Sequence, residues 1–265
     1  MKYKIITIIC IFCVAMFSNN VHANNYNEGI SYSNYAANFV KIPFRATLEP
    51  FRGDQKGIKR NLIIATGVGL TLAYDQDIRD YVQDEVYGGS NSLSRFLYNV
   101  GSKDYAIPGF LGVYAISAIS GNRYFFDTMN LSFQSFLITQ MFTEITKGTV
   151  NRIRPRNSPD DPFNREDDAQ SFFSGHASGT WAVATVFAQR YPSFQIPAYT
   201  LATSVSLSRV YEDAHWMSDV LVGSLVGYGI ARLTIRLNDA YPNNQVQVSP
   251  VFDGDSVGAT IGFRW

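Results

Sequence analysis

Apolar residues recur at three-and-four spacing through most of the chain, and the segments that carry the pattern are read as helices. They run from Asn61 to Tyr74, Ser90 to Gly101, Tyr105 to Ser120, Tyr124 to Lys147, Ala177 to Arg190, Pro197 to Val210 and Trp216 to Arg236. Pro192 stops one of them, and the stretch from Arg156 to Gln170, with Pro159, Pro162 and seven charges, interrupts the series as a loop. Two regions depart from the pattern. Asn24 to Gly57 is polar and broken by Pro43 and Pro50, which predicts an extended lead-in over 24–57. Beyond Pro242 the period drops to two: Val246 and Val248 alternate with polar residues, Asp253-Gly254-Asp255-Ser256 is turn-like, and Val257 to Trp265 reads as a second strand. The expectation is an all-α helical bundle over 58–240 with a C-terminal β-hairpin over 241–265.

The N-terminus has its own texture. Lys2 and Lys4 precede an apolar run from Ile5 to Phe17, and Val21-His22-Ala23 closes it with the small-residue pattern of a cleavage site, so residues 1–23 read as a signal peptide. An uncleaved anchor is the alternative, although a span needs about 20 apolar residues. The reading implies export, into the periplasm, and removes both cysteines, Cys10 and Cys13, from the mature chain. Disulfide and metal-thiolate chemistry go with them. The other apolar stretches, 14 to 16 residues long and interrupted by Gly, Ser, Thr or Pro, read as core helices of a soluble or surface-attached bundle.

Composition narrows the function classes. With 265 residues, 46% hydrophobic and 17% charged, the chain is a folded one. Beyond the leader 20 basic side chains face 22 acidic ones, which argues against a nucleic-acid partner. Only His176 and His215 remain of three histidines. The acidic stretch Asp160, Asp161, Glu166, Asp167, Asp168 lacks the spacing of a calcium-binding hand loop and reads as a solvated lid.

Three short patterns place polar groups where a bundle has no structural need of them: Lys147 through Arg154-Pro155, Ser174-Gly175-His176, and Ser208-Arg209 through His215 to Asp219. His215 and Asp219 are four apart at the start of a helix, which puts a carboxylate beside one imidazole nitrogen and leaves the other as a base or nucleophile. Arg209 offers a planar fork of donors suited to phosphate oxygens. Ser174-Gly175-His176 opens a helix, where backbone N–H groups and a hydroxyl form an anion site with His176 beside it as a general acid. Lys147 and Arg154 add two further cations for an oxyanion. Taken singly, each has a plain reading: a packed histidine, an aspartate favouring a helix N-terminus, and a basic run of Lys147, Arg152, Arg154 and Arg156 on a solvated face.

Together the triplet resembles the signature of the type 2 phosphatidic-acid phosphatase superfamily, which also holds bacterial acid phosphatases and vanadium haloperoxidases. Every spacing matches, with Phe173 standing where the family usually has Pro. The resemblance covers about Asn61 to Arg236. It implies a helical fold of that type and a phosphoric monoester hydrolase. His215 would form a phosphohistidine, Asp219 would orient it, and His176 would protonate the leaving group. Lys147, Arg154, Ser174, Gly175 and Arg209 would bind the phosphoryl oxygens. It implies no metal and no resident cofactor. The substrate would be a phosphorylated small molecule or a lipid head group, with membrane-surface contact possible in the second case. Two alternatives stay open: a haloperoxidase in which vanadate, otherwise an inhibitor, is the cofactor, and a non-catalytic envelope protein that docks through its hairpin.

Overall fold

The computed structural model describes residues 29–48, 55–163, 170–239, 246–253 and 256–263. The signal peptide lies outside them, as do Glu166, Asp167 and Asp168 of the acidic stretch. Nine α-helices are found among the described residues: α1 (Tyr32–Leu48), α2 (Gln55–Ala73), α3 (Asp75–Tyr81), α4 (Ser92–Gly101), α5 (Lys103–Ile119), α6 (Arg123–Val150), α7 (Gly175–Arg190), α8 (Gln195–Tyr211) and α9 (Met217–Asp239). A π-helical turn, Val82–Val86, continues α3. Two strands, β1 (Val246–Asp253) and β2 (Ser256–Phe263), pair antiparallel from Val246↔Phe263 to Asp253↔Ser256.

The α9 helix is the axis of the bundle, packed against α7, α6 and α1. Its Ile230, Leu233 and Leu237 meet Ile42 of α1 and Ile138 of α6, while Ala231 joins Ile30, Leu131 and Val186. Burial of that apolar area at about 25 cal/mol per Å² is what holds the helices side by side. Two glycines set how closely α9 approaches α7. A Cβ on Gly227 would stand 2.2 Å from the Ser178 carbonyl oxygen, and one on Gly223 2.8 Å from that of Ser174. Only hydrogen fits at either position.

Three sequence expectations are corrected by these coordinates. Residues 32–48, read as extended, form α1 despite Pro43 within it. The missing N–H costs one helical bond, offset by burial of Ile42 and by bonds from Tyr35 Oη to the Asn130 carbonyl (2.9 Å) and from Gln134 Nε2 to that of Tyr35 (2.7 Å). The apolar runs read as core are not core in α2 and α5. Ile58, Leu62, Ile63 and Leu70 of α2 and Ile107, Leu111 and Ile119 of α5 are exposed. A run that is apolar all round suits a lipid-facing helix as well as a buried one, and the period cannot tell them apart. In α6, Phe125, Met129 and Leu131 are buried but Leu137, Met141 and Ile145 face outward. Its inner face is instead built of small polar residues, with Thr128, Ser132 and Thr143 each donating to the carbonyl four residues earlier.

Among the described residues one helix, Met217–Asn238, is long and apolar enough to cross a membrane by length and composition. It is also the helix that packs against α7, α6 and α1.

Candidate active site

The three patterns converge at one end of the α6, α7, α8 and α9 bundle. Lys147 lies in the last turn of α6, which ends at Asn151 in a left-handed conformation (φ 50°). Ser174 is the N-cap of α7, its Oγ accepting from the Ala177 N–H and its carbonyl from the Ser178 N–H. Ahead of these stand the N–H groups of Gly175 and His176, at the positive end of the helix. A Cβ placed on Gly175 would lie 4.0 Å from Lys147 Nζ, so the lysine arches over the glycine backbone. Phe173 is buried against α9, near Gly223, and the cradle forms with Phe in place of the family's Pro.

The third pattern forms the turn between α8 and α9. Arg209 is buried in the last turn of α8, and its carbonyl accepts from the N–H groups of Ala214 (3.0 Å) and His215 (3.2 Å), folding the turn back on itself. Asp219 occupies the first turn of α9. Its Oδ2 caps the Trp216 N–H at 3.0 Å and lies 3.6 Å from His215 Nδ1, beyond hydrogen-bond length but within one small side-chain movement of it. Main chain ties this turn to the anion cradle, since the Ser174 N–H donates to the Asp219 carbonyl at 3.1 Å.

The electrostatics follow from burial of like charges close together. His176 is pulled down to about 3, chiefly by burial and then by Arg209, His215, Arg154 and Lys147. Burial likewise lowers His215, with Asp219 pulling the other way and Arg154 and Arg209 adding to the burial effect. Both imidazoles are therefore neutral in the free protein near neutral pH. Arg209 is lowered to about 10 by burial despite Glu212, and Lys147 and Arg154 are lowered for the same first reason. His176 Nε2, His215 Nδ1 and Arg209 Nη1 are buried without a hydrogen-bond partner. Three cations held together against their mutual repulsion, beside unpaired polar atoms, define a site for a multiply charged oxyanion.

Sequence reasoning missed four residues here. Tyr98 of α4 packs against His176 with ring centroids 5.2 Å apart and the rings tilted by 38°. Arg152, read as part of a solvated face, is only 4% exposed. It bonds Asp219 and also Asp75 at the start of α3, each at 2.8 Å. Arg79 clamps the Asp213 carboxylate, in the turn between α8 and α9, with two bonds of 2.9 Å. The signal for these residues lies in three dimensions, because their partners are tens of residues away in sequence.

The fold and the site define the class of a helical oxyanion-binding domain. Residues 130–241 match the PAP2 superfamily. The chain is 36% identical over 97 residues to a lipid A 1-phosphatase of Porphyromonas gingivalis, which covers 35% of this chain and 20% of that protein. It is 29% identical over 116 residues to an undecaprenyl-diphosphatase of Sulfolobus acidocaldarius (43% and 56%), and 32% identical over 89 residues to an acid phosphatase of Zymomonas mobilis (31% and 34%). The matched stretches thus span from a fifth to little more than half of these relatives. Among solved structures, a transmembrane PAP2-type phosphatidylglycerolphosphate phosphatase from Bacillus subtilis superposes with a TM-score of 0.51 at 20% identity, covering 69% of this chain and 94% of that one. That likeness establishes the shared helical fold.

Proposed function

We propose that this protein is an exported, membrane-associated phosphatase that hydrolyses a lipid phosphate monoester or the terminal phosphate of a lipid pyrophosphate through a phosphohistidine intermediate. The observation that carries the reading is the convergence of Lys147, Arg154 and Arg209 on two neutral histidines, His176 at the N-terminus of α7 and His215 in the turn before α9. In this mechanism Lys147, Arg154, Arg209, the Ser174 hydroxyl and the Gly175 N–H bind the phosphoryl oxygens. His215 attacks phosphorus through Nε2 while its Nδ1–H turns to Asp219, and the P–O bond to the leaving group breaks. His176 must be protonated at that moment, and the incoming dianion supplies the charge that raises it. His176 gives its proton to the departing oxygen, then takes one from water as that water attacks the phosphohistidine and frees His215.

A lipid substrate is favoured by the outward apolar residues of α2, α5 and α8, among them Leu62, Ile63, Leu111 and Ile196, which suit contact with acyl chains. The names of the lipid A and undecaprenyl relatives point the same way. The strand pair is read as a C-terminal appendage of the phosphatase domain. We infer that the reaction needs no metal, because the cations that would stabilise the transferred phosphoryl are the side chains of Lys147, Arg154 and Arg209. Vanadate, which shares the geometry of the phosphoryl in flight, is expected to inhibit.

The test is phosphate release from phosphatidic acid in mixed micelles and from an activated aryl phosphate, in excess chelator, by the purified protein and its His215→Ala variant. Release that falls to background in the variant is expected. Equal release by both, or activity abolished by the chelator, would overturn the reading.

A further inference from the structure

The polar groups behind Asp219 form a second layer that the phosphoryl site itself does not require. Arg152 Nη1 donates to Asp219 Oδ1 at 2.8 Å and to Ser218 Oγ at 2.7 Å, and its Nη2 donates to Asp75 Oδ2 at 2.8 Å. Asp75 in turn accepts from the Ser218 N–H at 2.9 Å and from the Ser218 hydroxyl. The guanidinium carbon lies 5.0 Å from the centroid of the Trp216 ring, whose Nε1–H is held by the Ile153 carbonyl at 2.8 Å. Asp75, Arg152, Ser218 and Asp219 are each at most 4% exposed, and Trp216 is 2% exposed. Solvent therefore does little to screen these charges.

Burying three charged groups is costly, and a bundle can be built at lower cost from apolar side chains of the same volume. The arrangement also fixes more than stability needs. Arg152 holds one oxygen of Asp219 and the Trp216 N–H holds the other, so the carboxylate cannot rotate away from His215. Resting on the phosphatase reading above, we propose that Asp75 and Arg152 are positioning residues: Arg152 aims the Asp219 carboxylate at His215, and Asp75 both orients Arg152 and offsets its charge.

The charges make opposite demands, and this separates the proposal from mere packing. The ionisable groups facing His215 are Asp219, Arg154, Arg209 and His176; those facing Asp219 are Arg152, His215 and Arg154. With both residues present, Asp75, Arg152 and Asp219 sum to one negative charge, and His215 sees most of it. In Asp75→Asn, which keeps the shape, the sum becomes zero and protonated His215 loses support. In Arg152→Gln the sum becomes minus two and protonated His215 gains support.

The experiment is a histidine-selective NMR titration of the full protein in detergent, resonances assigned with His176→Ala, on the wild type, Asp75→Asn, Arg152→Gln and Arg152→Lys. The expected result is a His215 titration displaced to lower pH by at least half a unit in Asp75→Asn and to higher pH in Arg152→Gln. Arg152→Lys keeps the charge but not the fork, so its titration stays near the wild type's while kcat on an aryl phosphate falls at least tenfold with KM within threefold. A wild-type His215 titration together with wild-type kcat in Asp75→Asn would overturn the proposal even if Arg152→Gln fails to fold. The titration needs no turnover, so an inactive wild type would sink the phosphatase reading and leave this one readable.

Discussion

Tyr98 lies across Arg209, the guanidinium carbon 5.0 Å from the centre of the ring, while the same ring packs, tilted by 38°, against His176. One side chain of α4 therefore steadies both the proposed phosphate-binding cation and the proposed general acid. Replacing Tyr98 by Leu should remove a contact worth roughly 0.5–2 kcal/mol, read as about a tenfold fall in kcat/KM on an aryl phosphate. Tyr98→Phe keeps the ring and should stay within about twofold. Steady-state kinetics of the two variants decide the point, and equal losses would assign the effect to the hydroxyl.

The depressed His176 gives a signed pH dependence. Free His176 stays neutral down to about 3, whereas the unfolded chain takes up the proton near 6.5. Below about pH 6.5 the unfolded state binds the extra proton, so this group's contribution to stability declines as pH falls from there toward 3 and is full above it. A bound dianion reverses the preference. Sulfate, which keeps both charges across this range, should bind more tightly as pH falls from 8 to 5, with measurable proton uptake by calorimetry in buffers of different ionisation enthalpy. His176→Ala should bind sulfate with a clearly shallower slope.

The two histidines divide the chemistry by leaving group. In kcat/KM, which reads phosphoryl transfer to His215 and not the later hydrolysis that His176 also assists, His176→Ala should lose little on an activated aryl phosphate, which departs without a proton, and at least about a hundredfold on an alkyl phosphate, the usual worth of general acid catalysis. His215→Ala should lose turnover on both. Equal loss on both esters in the His176 variant would remove it from the acid role.

The close approach of α7 and α9 can be probed with one methyl group. Gly227→Ala drives a Cβ to 2.2 Å from the Ser178 carbonyl oxygen and should destabilise by about 1–3 kcal/mol or more. Gly67→Ala on α2 meets nothing within 4 Å among the described residues and should gain up to about 1 kcal/mol of helix propensity. Thermal melts in detergent should move in opposite directions.

Much of this site was legible before any coordinates. The eight residues of the three patterns gather at one bundle end because their spacing places each at a helix terminus or, for Arg154, just past one, and terminus signals are local. Arg152 was not legible, since among basic neighbours it looks solvated. Its burial depends on Asp75 and Asp219, 77 and 67 residues away. The long helices α5, α6 and α9 were read close to their observed limits. The inward or outward sense of α2 and α5 was not, because the sequence pattern records apolar surface and not what covers it. The lead-in failed for a related reason: Pro43 argues locally against a helix that tertiary packing then stabilises.

The main-chain bond from the Ser174 N–H to the Asp219 carbonyl ties the start of α7 to the turn that carries His215. In the proposed reaction the distance over which phosphorus would pass from leaving oxygen to imidazole is therefore written in peptide geometry, and side-chain drift would alter it little. Diversification of such a domain toward new esters would then proceed on surrounding elements such as α4, while the reaction coordinate itself stays fixed.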